Sequence, residues 1–160
     1  MRKQKGEIIE VEEDNETSLL NVETHISDDY VTDEDIKIEI HQMINEIDSY
    51  DKLQSIKMTL EDRFGKISDT LENYMYEEWF EKIAKNLGIK KVKQTDRLIE
   101  IELPEQLSQN IKGDKLLYES YSISQNFNLS YKHNCIIITL YYKNLPEHFI
   151  KYIVRLLNTL

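Results

Sequence analysis

The residues able to do chemistry in this sequence are few: His25, His41, His133 and His148, the single Cys135, and the adjacent carboxylates Glu77 and Glu78. His41, His133 and His148 have no i, i+4 His or carboxylate partner, and His25, with Asp29 at i+4, lies in a strand-and-turn stretch and not on a helix, so none reads as a helical zinc site. His133 and Cys135 lie two apart and share a strand face, but two ligands do not make a zinc site. They read as a hairpin turn beside a small buried thiol. The acidic stretch DDYVTDEDIKIE offers no frame with acids at calcium-loop positions 1, 3 and 5 and Gly at 6, and a capped helix start accounts for its charges. Glu77 and Glu78 are helix neighbours that point in different directions, so they read as a solvated face, not a general acid/base pair. Gly6, Gly65, Gly88 and Gly113 fall in no phosphate-binding frame, and there is no nucleophile elbow. A small enzyme built on His133, Cys135 or the Glu77-Glu78 region lacks a constellation of nucleophile, base and orienting group. The expectation is a chain without catalytic residues, metal or cofactor.

Charge narrows the class of partner. The 160-residue chain has a net charge of −10, and residues 1–40 hold 13 Asp/Glu against 4 Lys/Arg. An acidic chain repels phosphate, so direct nucleic-acid binding is disfavoured and partners with basic patches are favoured. Beyond the basic first five residues, Lys90, Lys91 and Lys93 form the one basic cluster and read as the solvated face of a strand. One cysteine excludes an internal disulfide framework and fits a reducing cytosol. The basic start MRKQK is followed by GEIIEVEEDNE where a signal peptide needs an apolar region, and no apolar run approaches a membrane span. A cytoplasmic protein with no membrane partner is expected.

The elements that must position any binding surface follow from periodicity. Residues 1–17 are charged without helical period and read as a flexible acidic leader or linker, and residues 18–160 as a single domain. Leu20, Val22, Thr24 and Ile26 alternate, predicting a half-buried strand, and SDDY predicts a turn. A helix capped by Thr32 carries Ile36, Ile40, Met43, Ile44 and Ile47 on its buried stripe. A second, capped by Asp48 or Ser49, buries Leu53, Ile56, Leu60 and Phe64 and ends at a left-handed Gly65. A third starts at Ser68 or Asp69, buries Leu71, Met75, Trp79, Phe80, Ile83, Ala84 and Leu87, and stops at Gly88 with Ile89 sealing a Schellman ending. Tyr74 and Tyr76 on this helix read as core, not as a cofactor box.

The period then changes to two. IKKVKQ and RLIEIEL predict a hairpin about Thr95-Asp96. A helical stretch near 105–122 breaks or restarts at Gly113-Asp114. FNLSYK and CIIITLYY predict a hairpin about His133-Asn134. A last helix has Pro146 at its first position and buries Phe149, Ile153 and Leu156 or Leu157. The order β-ααα-ββ-α-ββ-α is an α+β fold: a helical half, then antiparallel hairpins packed by helices.

Three ordered blocks carry a resemblance: HISDDYVTDEDIKIEIHQMINEID, LQSIKMTLEDRFGKISDTLENYM and EKIAKNLGIKKV. Over roughly residues 24–93 they resemble the C-terminal (TRCF) domain of bacterial transcription-repair coupling factor (Mfd), including its E-L-x-D-R-F-G passage. The resemblance implies a non-catalytic regulatory domain of a transcription-coupled DNA repair protein, whose parent is an ATP-dependent DNA translocase. ATP would belong to that motor, none of whose motifs is present in this chain. The implied partner is the UvrB-like N-terminal module of the same protein. There the domain masks the UvrA-binding surface in an autoinhibited state, linking it indirectly to UvrA and RNA polymerase. The family's two acids, at i and i+3 on one helix face, fall here on Thr59 and Asp62. Thr59 departs from the pattern, while Glu61 is acidic but lies about 200° away around the helix.

The partner-binding residues expected are thus Asp62, Glu61, Thr59 and Arg63, with Phe64, Gly65 and Gly88 as structural residues. Asp62 stands out, because a carboxylate near a helix C-terminus is unfavourable for the helix itself. The alternative is a free-standing acidic adaptor that docks a basic partner.

Overall fold

The computed structural model describes residues 22–160, which fall into a helical unit, 22–82, and a sheet unit, 83–160. The expected leader, 1–17, and the start of the expected first strand lie outside the described residues. The remainder of that strand, 22–26, does not form one: Ile26 is buried, but Thr24, expected on the same face, is exposed. Alternation alone does not make a strand. It needs a ladder partner, and no described strand pairs with this segment. The turn that follows is present, with the Tyr30 N–H donating to the Ser27 carbonyl.

Three helices build the helical unit: α1 (Glu34–Ile44), α2 (Tyr50–Phe64) and α3 (Asp69–Leu87), the last of which runs on into the sheet unit. Each begins where a side chain satisfies free amides. Asp33, not Thr32, caps α1, its Oδ1 accepting from Asp35 N–H at 2.8 Å and Ile36 N–H at 3.2 Å. A carboxylate at that position also meets the positive end of the helix dipole, an advantage a hydroxyl lacks. Ser49 caps α2 and Ser68 caps α3, each through Oγ at 3.1 Å. Ile40, Ile44, Ile47, Leu53 and Leu60 are fully buried.

α3 is buried around most of its middle turns: Tyr74, Met75, Tyr76, Glu77, Trp79 and Phe80 are all under 9 % exposed. This overturns the solvated-face reading of the Glu77-Glu78 pair, since Glu77 is only 3 % exposed. Burial, followed by the hydrogen bond and charge of Glu81, pushes the Glu77 carboxyl up to about 9. α3 ends in the Schellman arrangement its sequence predicts. Ile89 N–H donates to Ala84 carbonyl at 2.9 Å, Gly88 N–H to Lys85 carbonyl at 3.2 Å, and Gly88 has φ +78°.

In the sheet unit, β1 (Lys91–Gln94), β2 (Leu98–Glu102), β3 (Phe127–Lys132) and β4 (Cys135–Tyr141) form one antiparallel sheet in the order β1-β2-β4-β3. Both hairpins are where the sequence puts them. Thr95 N–H bonds Leu98 carbonyl across the first, and His133 and Asn134 adopt φ of 54° and 66° in the second, as a two-residue turn between twisted strands requires. The helical stretch between the hairpins is two helices, α4 (Glu105–Asn110) and α5 (Gly113–Ile123). Buried Ser108 ties α4 to the sheet by accepting from Ile136 N–H at 2.9 Å.

α6 (Phe149–Leu157) packs Ile153, Leu156 and Leu157 over Ile99, Ile101, Phe127, Ile138 and Leu140. It begins at Phe149, three residues later than a first-position Pro146 would place it. His148 caps it instead, with Nδ1 accepting from Ile150 N–H at 3.2 Å. Among the described residues no helix is long and apolar enough to cross a membrane.

Candidate protein-binding corner at the end of the second helix

The four residues expected to face a partner occupy the last turns of α2 and are used in four different ways. Thr59 is exposed, and its hydroxyl donates back to the Ser55 carbonyl at 3.0 Å, so it serves its own helix. Glu61 is half-buried and folds under the helix end, where Oε2 accepts from Ile67 N–H at 3.2 Å. Arg63 pairs with Glu39 of α1 at 2.8 Å and lies 4.8 Å from the centre of the Phe64 ring. That guanidinium holds the Glu39 carboxyl below its ordinary range, through the hydrogen bond first and the charge second.

Asp62 is exposed and makes no hydrogen bond or ion pair with a described residue. Asp35, Asp51 and Asp69 are exposed acids too, but they sit in the first turns of α1, α2 and α3, where the dipole favours negative charge. Asp62 sits at the opposite pole.

What fixes this corner is largely outside the D-R-F-G stretch. Gly65 closes α2 with its N–H on Glu61 carbonyl at 3.0 Å, at φ 96° and ψ 179°. That is not the left-handed helical conformation expected from sequence but the extended positive-φ region, which is essentially confined to glycine. The Tyr30 hydroxyl reaches Gly65 carbonyl at 2.8 Å and Leu60 carbonyl at 3.2 Å, tying residue 30 to the end of α2. Its ring meets Phe64 edge-on at 6.1 Å. Sequence reasoning passed over both Tyr30 and Glu39, because contacts 35 and 24 residues apart leave no local signature.

Beside the corner a groove of about 530 Å³ runs between residues 23–30 and 66–71. Its floor is the buried Ile26, Ile67 and Leu71, and Glu23, Asp29 and Lys66 stand along its walls. Counted over the whole helical unit, 17 Asp/Glu face 6 Lys/Arg, a net of −11. The corner can therefore offer a basic protein surface one free carboxylate, a local excess of negative charge and a shallow apolar recess. Among the described residues no group of three or more His, Cys, Asp or Glu could hold a metal ion. His133 is exposed at its hairpin turn, and Cys135 is half-buried. The Cys135 thiol is raised above its ordinary range, chiefly by desolvation and then by Glu102 and Glu105, which keeps it in the less reactive protonated form.

The TRCF domain family matches residues 20–113. The transcription-repair-coupling factor of Staphylococcus aureus (strain USA300) is 24% identical over 155 residues, which cover 97% of this chain and 13% of that protein. The Staphylococcus haemolyticus (strain JCSC1435) counterpart is 24% identical over 138 residues, 86% of this chain and 12% of that protein. This chain thus spans about an eighth of the length of the relatives it matches. Among solved structures, the crystal structure of the C-terminal domain of transcription-repair coupling factor superposes with a TM-score of 0.68 at 18% identity. That match covers 86% of this chain and 85% of the other. With more than half of its residues matched by that family, the chain belongs to the TRCF domain family, the C-terminal domain of transcription-repair coupling factor.

Proposed function

We propose that this domain regulates a transcription-repair coupling factor by packing on the UvrB-like N-terminal module of the same protein and masking its UvrA-binding surface. The observation that carries the reading is Asp62, an exposed carboxylate at the disfavoured pole of its helix, partnerless among the described residues of a unit with net charge −11. A clamp that must release is best held by a modest, partly electrostatic interface, since large apolar seams open slowly. Arginines on the partner would complete Asp62, because a guanidinium binds a carboxylate through two parallel hydrogen bonds. ATP hydrolysis, DNA translocation and engagement of RNA polymerase belong, in this reading, to the rest of the parent protein in the bacterial cytoplasm. The domain itself is a non-catalytic brake without a cofactor.

The test is a titration of the separate UvrB-like module with this chain. Weak binding that falls with added salt is expected, and Asp62→Arg should weaken it by about tenfold at low salt. Unchanged affinity of that variant at low salt would refute the role given to Asp62. The second reading, a free-standing acidic adaptor for a basic partner, is favoured by the acid-rich N-terminal quarter. Full partner binding after deletion of residues 1–17 would count against it.

A further inference from the structure

β3 is an edge of the four-stranded sheet, with a strand neighbour among the described residues on one side only. Tyr141 N–H donates to Asn126 carbonyl at 3.1 Å, and in the same register Asn128 pairs with Thr139, Ser130 with Ile137 and Lys132 with Cys135. Bonded and non-bonded pairs alternate along an antiparallel ladder, so the N–H and C=O of Phe127, Leu129 and Tyr131 point away from β4, toward the open side. Sheet edges are commonly guarded by charge, proline or a bulge. β1, at the other edge, follows that rule with Lys91 and Lys93 exposed. β3 does not: its first five residues, FNLSY, carry no charge, proline or glycine and pair with β4 without a bulge. Beside this edge lies exposed apolar surface. α5 packs against β3, and its Lys115, Leu116 and Glu119 line a groove with Thr159 and Leu160, which follow α6. That flank of α5 therefore faces α6, which lies over β2, β4 and the start of β3. Leu117 and Tyr121, one turn apart, are on the other flank, on the side of the open edge, with Tyr118 next to them. All three are exposed, as is Tyr131 of β3.

We propose that this edge is a contact between two copies of the chain, whose β3 strands pair antiparallel about a two-fold axis. Leu129 stands opposite Leu129 of the second copy, Phe127 opposite Tyr131, and Asn128 opposite Ser130. This register joins all three outward-facing residues at once, whereas a shift of two residues in either direction leaves one of them without a strand partner. It also sets no like charges opposite each other, since Lys132 meets Asn126. A two-fold axis through an antiparallel ladder keeps the same face of the sheet uppermost in both copies. The two α5 helices then come side by side, and Leu117, Tyr118 and Tyr121 of each meet those of the other. One symmetry operation thus closes the open ladder and covers the exposed aromatic flank, which favours a second copy over a foreign strand. A single strand pair with one helix flank is at the small end of specific interfaces, so the dimer exchanges readily with monomer.

Sedimentation velocity of the whole chain between about 5 μM and about 500 μM should show monomer giving way to dimer. Across that range the Leu129 amide should come to exchange about threefold more slowly. Asn128→Lys/Ser130→Lys changes only exposed positions, sets lysine against lysine on both sides of the axis, and should weaken association by about tenfold. Asn128→Lys/Ser130→Glu sets lysine against glutamate at the same places and should restore it. A chain that stays monomeric at about 500 μM overturns the proposal and leaves the edge to a strand of another protein. Association that the lysine pair leaves unchanged, or that the lysine-glutamate pair fails to restore, overturns it by placing the contact elsewhere. Slow Leu129 exchange at every concentration overturns it too, by assigning the edge to residues of the same chain.

Discussion

Residues 22–82 carry 17 acidic and 6 basic side chains, whereas residues 83–160 carry 7 and 11. The acidic excess of residues 1–40 continues through the helical unit, and the change of sign falls inside α3. The helical unit spends its acids locally: Asp33 on a cap, Asp35, Asp51 and Asp69 on helix dipoles, Glu39 on Arg63, and Glu72 on Lys57 at 3.0 Å. The sheet unit depends less on charge. Its core is an apolar seam between α6 and the covered face of the sheet, with several cations set on exposed positions. Acid left over in the first unit is therefore available for recognition, while in the second unit truncating an apolar side chain should do the greatest damage.

That contrast is broken most severely at Ile153, which is 1 % exposed in the seam. Ile153→Ala should cost about 3 kcal/mol of unfolding free energy, from the lost transfer energy and the cavity left behind. Denaturant titration followed by circular dichroism measures it, and a loss below about 1 kcal/mol would mean that the seam is not the sheet unit's main support.

The next largest effect is expected from the helical unit's one deeply buried acid. The Glu77 carboxyl is raised from 4.5 to about 9 by burial first and by its neighbours Glu81 and Glu78 second, and its Oε1 has no hydrogen-bond partner among the described residues. The folded state thus holds the proton more tightly than the unfolded chain. Stability linked to this group is complete below about pH 4.5 and declines as pH rises toward about 9. Glu77→Gln fixes the neutral form and should stabilise the chain at pH 7 by on the order of 2 kcal/mol. It should also flatten the stability profile between pH 5 and about 9. An unchanged profile would mean that Glu77 is ionised in the folded chain.

A smaller change tests how the end of α2 is held. Tyr30→Phe keeps the ring against Phe64 but removes the hydroxyl from the Leu60 and Gly65 carbonyls, at a cost of about 1 kcal/mol. The N–H of Ile67, held by Glu61 in the adjoining loop, should then exchange faster with solvent. No change at Ile67 would show that Glu61 alone holds the loop.

These residues also show where sequence could be read and where it could not. Local rules reached the starts of α2 and α3, the Schellman end at Gly88-Ile89, both hairpins and the two-helix break, because each is settled within about five residues. They failed where tertiary context decides. The alternation around Val22–Ile26 found no ladder partner, and Glu77 followed the burial of its helix against the preference of its charge. Asp62 was legible as an anomaly from the dipole rule alone. Its distinctness from Glu61 and Arg63 was not, since that rests on Ile67 and Glu39 occupying those two side chains.

The smallest expected effect lies at the start of α6, and it tests whether the sheet unit is indifferent to charge. His148 caps the helix only as a neutral imidazole, because Nδ1 must accept from Ile150 N–H. Partial burial, and then the charge of Lys151, hold its pKa below the ordinary 6.5. The cap therefore contributes fully above about pH 6.5 and is lost as pH falls through the lower folded value. Over that acidic window the chain should lose about 0.5 kcal/mol, the lower range for a helix cap at a partly exposed site. His148→Asn keeps an N-cap acceptor without a titrating ring and should remove that part of the pH dependence while leaving stability at pH 7.5 nearly unchanged. If the acid-side loss persists in His148→Asn, it arises from the carboxylates of the helical unit, and the sheet unit is as insensitive to charge as its apolar seam suggests.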